Sequence, residues 1–115
     1  MRAEAQAYAD QVNAALALLR RFLDWDRALR RLDELNARVE DPALWNDAKQ
    51  AQEVMRERRR LDEAVGATRR IEQELADTLE LIEMAEAEGD DSMVDDAVAS
   101  LKELAERAEK DKVAA

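Results

Sequence analysis

The 115 residues include 70 of Ala, Leu, Glu, Arg and Lys, the strongest helix formers, against two Gly, one Pro and eleven Val, Ile and Thr. This predicts long helices and excludes a β-rich or α/β fold. The absence of Cys and His removes disulfides, thiolate and imidazole catalysis, and sulfur or imidazole metal ligands. The net charge of −10 is uneven: residues 1–71 carry 14 basic and 13 acidic side chains, residues 72–111 carry 3 and 15, so the second part repels phosphate.

The opening Met1-Arg2-Ala3-Glu4, followed by Asp10, has no uninterrupted apolar stretch and is expected to be neither signal peptide nor anchor. From Ala3 to Leu23, Tyr8, Val12, Ala15, Leu19 and Phe22 recur at spacings of four and three, the stripe of an amphipathic helix. Asp24 offers an N-cap oxygen, and Trp25, Leu29, Leu32 and Val39 form the stripe of a second helix over about 25–40. Asp26 with Arg30 and Glu34 with Arg38 are acid-to-base pairs four residues apart on its outer face.

The clearest punctuation is Glu40-Asp41-Pro42-Ala43-Leu44-Trp45-Asn46-Asp47. Proline disfavours helix at Asp41, and Asn46 is placed to cap the next helix. Leu44 and Trp45 are too apolar for a free loop; they read as a plug folded back onto the bundle, with a partner-binding hot spot as the alternative. A third helix then spans about 47–88, roughly 60 Å at 1.5 Å per residue. Val54, Leu61, Thr68, Leu75 and Ile82 recur every seven residues along it, with Ala51, Val65, Leu79 and Met55 or Ile71 beside them. Gly66 interrupts it, and Gly89-Asp90-Asp91 turns the chain with Gly89 in the left-handed region. Ser92 with Asp95 resembles a capping box. The last helix, about 93–111, carries Val94, Val98, Leu101, Leu104, Ala105 and Ala108 inward, with Glu103–Arg107 and Glu106–Lys110 outside.

Short turns between long helices give antiparallel neighbours. The expected architecture is all-α: an elongated antiparallel bundle with one long central helix and a projecting acidic helical hairpin, Glu72 to Asp111. The first two helices are placed along the first half of the long one, and the last along its second half. Residues 112–115 read as a domain or expression boundary, because the helical pattern is still running there.

Carboxylates are the abundant reactive groups, yet no site assembles from them. A di-iron bundle lacks its histidines. Glu80, Glu83, Asp90, Asp91, Asp95 and Asp96 do not match a calcium loop and read as a solvated acidic face. Tyr8, Ser92, Ser100, Thr68 and Thr78 have no base placed beside them, and two isolated glycines make no phosphate loop. No enzyme, cofactor or metal is expected. The candidate basic faces, Arg20, Arg21, Arg27, Arg30 and Arg31 with Arg56, Arg58, Arg59 and Arg60, are interleaved with acids and read as solvated helix surface. What remains is binding, with the acidic hairpin offered to a basic protein surface.

Phe22-Leu23-Asp24-Trp25-Asp26, Arg31-Leu32-Asp33-Glu34-Leu35-Asn36, the Asp41-Pro42-Ala43-Leu44-Trp45-Asn46-Asp47 connector leading to Ala51-Gln52 and Glu57-Arg58, and Glu80-Leu81-Ile82-Glu83-Met84-Ala85 before Glu88-Gly89-Asp90 together carry a resemblance. Over about residues 16–111 the chain resembles the N-terminal helical domain of bacterial class-I peptide chain release factors of type 2. The resemblance implies a cytoplasmic parent protein that directs translation termination at UAA and UGA. Its codon-reading Ser-Pro-Phe and hydrolytic Gly-Gly-Gln motifs are absent from this chain and belong to later domains of that family. It further implies an interaction arm that meets the large-subunit stalk base of the ribosome and the class-II release factor GTPase, with no membrane and no sequence-specific DNA binding, as a monomer. Glu80, Glu83, Asp90 and Asp91 are the candidate partner-facing residues. A structural spacer or self-associating coiled coil, and a freestanding competitor of the release factor, are the alternatives.

Overall fold

The computed structural model describes residues 1–115. It contains α1 (Ala3–Leu23), α2 (Trp25–Val39), a 3-10 turn (Pro42–Asn46), α3 (Ala48–Glu88) and α4 (Asp91–Ala114), with no strand, so the all-α reading holds. The seven-residue seam of α3 is buried throughout: Val54, Leu61, Thr68, Leu75 and Ile82 are all 7% exposed or less. The chain divides into two compact units, residues 1–20 with 68–115, and residues 21–67, and α3 contributes one half to each.

The first unit is a three-helix arrangement. Ala5, Ala9, Val12, Ala15 and Leu16 of α1 pack with Ile71, Leu75, Ile82 and Ala85 of α3, and with Val94, Val98, Leu101, Leu104 and the alanines of α4. The α3–α4 hairpin is therefore not bare. The expectation that α1 lies along the first half of α3 is corrected: it packs against the second half and α4. The cause is its inward stripe, which runs through Ala5 and Ala9, 0% and 2% exposed, with Tyr8 and Leu19 at the flank. Phe22, expected on the stripe, is 58% exposed. Alanine gives little apolar signal in a sequence, but it lets helix axes approach closely.

Ion pairs join each of these helices to the other two. Arg2 Nη1 meets Asp95 Oδ1 at 2.5 Å between α1 and α4, Arg20 pairs with Glu72 between α1 and α3, and Arg107 Nη2 reaches Glu74 Oε2 at 2.5 Å between α4 and α3. Arg107 thus crosses to the neighbouring helix instead of settling on Glu103. Exposed pairs of this kind are weakened by solvent screening and side-chain entropy, so they select alignment more than they supply stability.

The second unit packs α2 on the first half of α3. Ala28, Leu32 and Leu35 of α2 meet Ala51, Val54, Leu61 and Val65 of α3, with Leu23, Trp25, Leu29 and Val39 partly buried at the edge. Leu35, fully buried, completes a stripe that the sequence reading left without it. The connector splits its two apolar residues: Leu44 is 6% exposed and enters this core, whereas Trp45 is 52% exposed and donates from Nε1 to the Val39 carbonyl at 3.1 Å. Only Leu44 is the plug. Asp41 caps the 3-10 turn, its Oδ1 accepting from Ala43 N at 3.0 Å ahead of Pro42.

Three caps depart from expectation. Asn46 is used up as the last residue of the 3-10 turn, so Asp47 caps α3 by accepting from Gln50 N at 3.1 Å. Gly89 does adopt φ +70°, but Asp90 caps α4 by accepting from Met93 N at 3.0 Å; Ser92 lies inside the helix, which starts at 91. Asp24 stands at the N-cap of α2 in the left-handed region, φ 55° and ψ 70°, and its side chain makes no cap bond. Its carbonyl accepts from Ala28 N at 2.8 Å, so the backbone alone starts the helix.

The tightest polar contact of this unit is a two-pronged one. Arg31 donates from Nε and Nη2 to the two carboxylate oxygens of Glu57 at 2.7 and 2.9 Å, and from Nη1 to Glu34 at 3.0 Å. Glu34 therefore serves Arg31 and not Arg38, which crosses to Gln50 at 3.1 Å. Arg58 donates to Asn36 Oδ1 at 2.7 Å. The Arg31 hydrogen bond holds the Glu57 carboxyl below the usual carboxylate range, aided by the charges of Arg31, Arg60 and Arg38.

Two predictions follow from these local features. The left-handed region costs an ordinary L-residue about 1–2 kcal/mol. Gly89→Ala and Asp24→Val are therefore expected to lower unfolding free energy by about 1 kcal/mol or more, and Asp24→Gly to leave it within about 0.5 kcal/mol, as measured by urea titration of helical circular dichroism. The lowered Glu57 pKa stabilises the fold above the pKa of the unfolded carboxyl, and that contribution disappears as pH falls through the folded value. Glu57→Gln is expected to lower the melting temperature at neutral pH and to flatten its decline on acidification, in thermal scans from neutral to strongly acid buffer.

Candidate functional site

The acidic charge is concentrated in one unit. Residues 1–20 with 68–115 hold 17 acidic and 8 basic side chains, whereas residues 21–67 hold 11 and 10. Within the acidic unit Arg2, Arg20 and Arg107 are drawn into the pairs between helices, and all three of their carboxylate partners lie on α3 or α4. The Met1 amino group lies 3.6 Å from Glu86 Oε2, and the other carboxylates around the α3–α4 turn are exposed.

Glu80 and Glu83 lie three residues apart in the last turns of α3, and both are exposed. Residues at that spacing are neighbours on a helix surface. Asp90 and Asp91, also exposed, begin α4 directly after Gly89. Asp90 has structural work, since its Oδ1 is the cap acceptor for Met93 N. Asp91 sits in the first helical turn, where a negative charge complements the helix dipole; the Asp95 hydrogen bond raises the pKa of Arg2, and the charge of Asp91 adds to it. Asp95 is likewise committed to Arg2. No three of the acidic side chains are arranged to hold a metal ion.

Three apolar residues stand out among these acids and were not singled out in the sequence. Leu81, Met84 and Met93 are 40%, 53% and 39% exposed. Leu81 and Met84 are three apart on α3 and lie off the Leu75–Ile82 seam, which is the signal that marks them as outward-facing. Flexible methionine side chains adapt to varied partner surfaces, and the surrounding carboxylates add charge selectivity. Chemically, this end of the hairpin is equipped for a basic protein surface with some apolar character.

No helix is long and apolar enough to cross a membrane. The PCRF domain family matches residues 28–114. The chain is 54% identical over 110 residues to peptide chain release factor 2 of Paramagnetospirillum magneticum, covering 96% of this chain and 30% of that protein. It is 56% identical over 85 residues to the protein of the same name from Phenylobacterium zucineum, covering 74% and 23%, and 46% identical over 110 residues to that of Roseobacter denitrificans, covering 96% and 29%. The chain thus spans less than a third of the length of these relatives. With an all-α fold and a match over residues 28–114, the chain belongs to the PCRF domain family.

Proposed function

We propose that the chain is the N-terminal helical arm of a cytoplasmic, monomeric type-2 release factor, one that directs termination at UAA and UGA. Codon reading and peptidyl-tRNA hydrolysis lie elsewhere in such a protein. The arm is a protein-interaction element for the stalk base of the large ribosomal subunit and for the class-II release factor GTPase. Its acidic hairpin end, with Glu80, Glu83, Asp90 and Asp91, faces the partner.

The observation that carries this reading is the exposure of those four carboxylates around an apolar trio, Leu81, Met84 and Met93, in a unit with a large acidic surplus. Complementary charge raises association rate and suppresses wrong partners, while the partly exposed apolar side chains supply contact area. A ribosomal protein or GTPase surface rich in Lys and Arg fits this pattern; bare ribosomal RNA does not.

The test uses the full-length release factor with Glu80→Lys, Glu83→Lys and Asp91→Lys, and with Asp90→Asn so that the α4 cap survives. Association with the stalk-base proteins and with the GTPase is expected to slow about tenfold or more at low ionic strength, with less effect at high salt. Stop-codon-dependent hydrolysis at saturating factor is expected to stay unchanged. Wild-type association rates and wild-type GTPase-stimulated recycling in this variant would defeat the reading.

A further inference from the structure

Two antiparallel helices packed side by side present a groove on each side of their contact line, and α1 occupies one groove of the α3–α4 hairpin. Ion pairs mark its seat: Arg20 with Glu72 and the Met1 amino group with Glu86 on α3, and Arg2 with Asp95 on α4. Glu72, Leu79 and Glu86 are seven apart and form one ridge of α3, whose Leu79 packs against the core. Glu74, two residues after Glu72 and so about 200° round the helix from it, stands on the other flank. There it meets Arg107 of α4 at 2.5 Å. Steps of seven toward the turn lead from Glu74 to Leu81 and Glu88 on α3, and from Arg107 to Ser100 and Met93 on α4; Met84 is three beyond Leu81. The Arg107–Glu74 pair shows that these two ridges border the second groove. Leu79 is partly buried on the α1 side, whereas Leu81, Met84 and Met93 on this side are exposed.

The charges along the second groove have one sign. Between the Arg107–Glu74 pair and the turn, its flanks carry Asp77, Glu88, Asp96 and Glu103, all exposed, and the cation among them, Arg107, is bound to Glu74. Asp77 accepts from the neutral amide of Gln73 at 2.8 Å, which leaves its charge in place. The occupied groove shows how this hairpin holds a helix. The inner stripe of α1, Ala5, Ala9, Val12, Ala15 and Leu16, lies on the core, and the arginines near its two ends reach carboxylates on the flanks. The second groove offers the same combination, apolar side chains between acidic borders.

We propose that the second groove seats a basic amphipathic helix of a partner protein, as a fourth helix opposite α1. Its apolar stripe lies on Leu81, Met84 and Met93, and its Lys and Arg side chains reach Asp77, Glu88, Asp96 and Glu103. The proposal rests on the reading of this hairpin end as partner-facing, and adds the face used, the mode of contact and the chemistry of the segment received. Helices dock in such grooves through apolar residues at i, i+3, i+4 and i+7, and methionines adapt to the exact side chains presented. An extended segment would find no sheet edge here to satisfy its backbone. A second copy of this acidic unit would bring like charge, as would nucleic acid.

The four methionines report the face used, because Met84 and Met93 border the second groove, Met1 lies on the α1 side by Glu86, and Met55 belongs to the 21–67 unit. The probe is a fluorescein-labelled peptide of about five helical turns with a Leu stripe and Lys elsewhere. Its controls are the same composition scrambled to lose the stripe, and the striped peptide with Glu for Lys. The striped Lys peptide is expected to shift the methyl resonances of Met84 and Met93 and to leave those of Met1 and Met55 in place. By anisotropy it is expected to bind at least about tenfold more tightly than either control. Leu81→Ala combined with Met84→Ala is expected to weaken it at least about fivefold, with helical circular dichroism kept because alanine favours helix. Shifts centred on Met1 or Met55, equal binding of a control, or full affinity in the double variant would overturn the proposal. Concentration-dependent shifts of Met84 and Met93 without peptide would give the face to a second copy and overturn it too. Glu80, Glu83, Asp90 and Asp91 are unchanged in this assay, so the two readings fail separately. A seated peptide with wild-type association of the charge-reversed factor removes the ribosomal partners and keeps the groove; slowed association without a seated peptide does the reverse.

Discussion

The approach of α1 to the α3–α4 hairpin, through alanines, governs the acidic unit. Ala5 and Ala9 on α1, Ala85 on α3 and Ala97, Ala105 and Ala108 on α4 are all 5% exposed or less, and side chains this small set short distances between axes. Each buries little apolar area, so stability comes from many modest contacts along three helices. Larger anchors such as Ile82, Leu101 and Leu104 sit between them. Added volume at such positions is as damaging as lost volume, since overpacking a tight interface commonly costs about 1–3 kcal/mol. Without α1, the hairpin would expose its inner stripe, and its carboxylates would lose the counter-charges of Arg2 and Arg20.

Charge is handled differently in the two units. In the acidic one, Arg2, Arg20 and Arg107 pair between helices, where each holds an orientation, and most of the other carboxylates are left to solvent. In the near-neutral one, a single arginine engages two carboxylates, while Arg38 and Arg58 reach the neutral side-chain amides of Gln50 and Asn36. Formal balance in a sequence is therefore a poor guide to the field at a surface. What decides it is which side chains are withdrawn into bidentate contacts, and that depends on geometry between helices.

Much of the fold was legible because its signals are periodic or chemically unambiguous. The buried seam Val54 to Ile82, the inward face of α4, the Pro42 break and the left-handed Gly89 all follow from spacing or from residue type. What escaped depends on information that spacing does not carry. Alanine reads almost the same buried or exposed, so the partners of α1 were misplaced and Phe22 was assigned inward. Adjacent polar residues compete for one cap, and the backbone path decided for Asp47 over Asn46 and for Asp90 over Ser92. Arginines reach across helices as readily as along them, so the pairs within helices at Glu34–Arg38 and Glu103–Arg107 lost to contacts with a neighbour. For the candidate surface, the acids near the turn were visible in composition, while the apolar trio among them emerged only from exposure.

Thr68 is the one polar residue on the buried seam of α3, 3% exposed among Val54, Leu61, Leu75 and Ile82. A strict seven-residue repeat has translational symmetry: sliding the helix by one repeat returns every seam position to a seam position, so apolar contacts alone barely distinguish the alignments. Thr68 breaks that symmetry. Sliding by one repeat would put it where Leu61 or Leu75 now packs, trading a large apolar side chain for a smaller one and leaving a gap in the core. One smaller side chain on the seam thus counts repeats, favouring one alignment of a long and nearly self-similar helix over its neighbours.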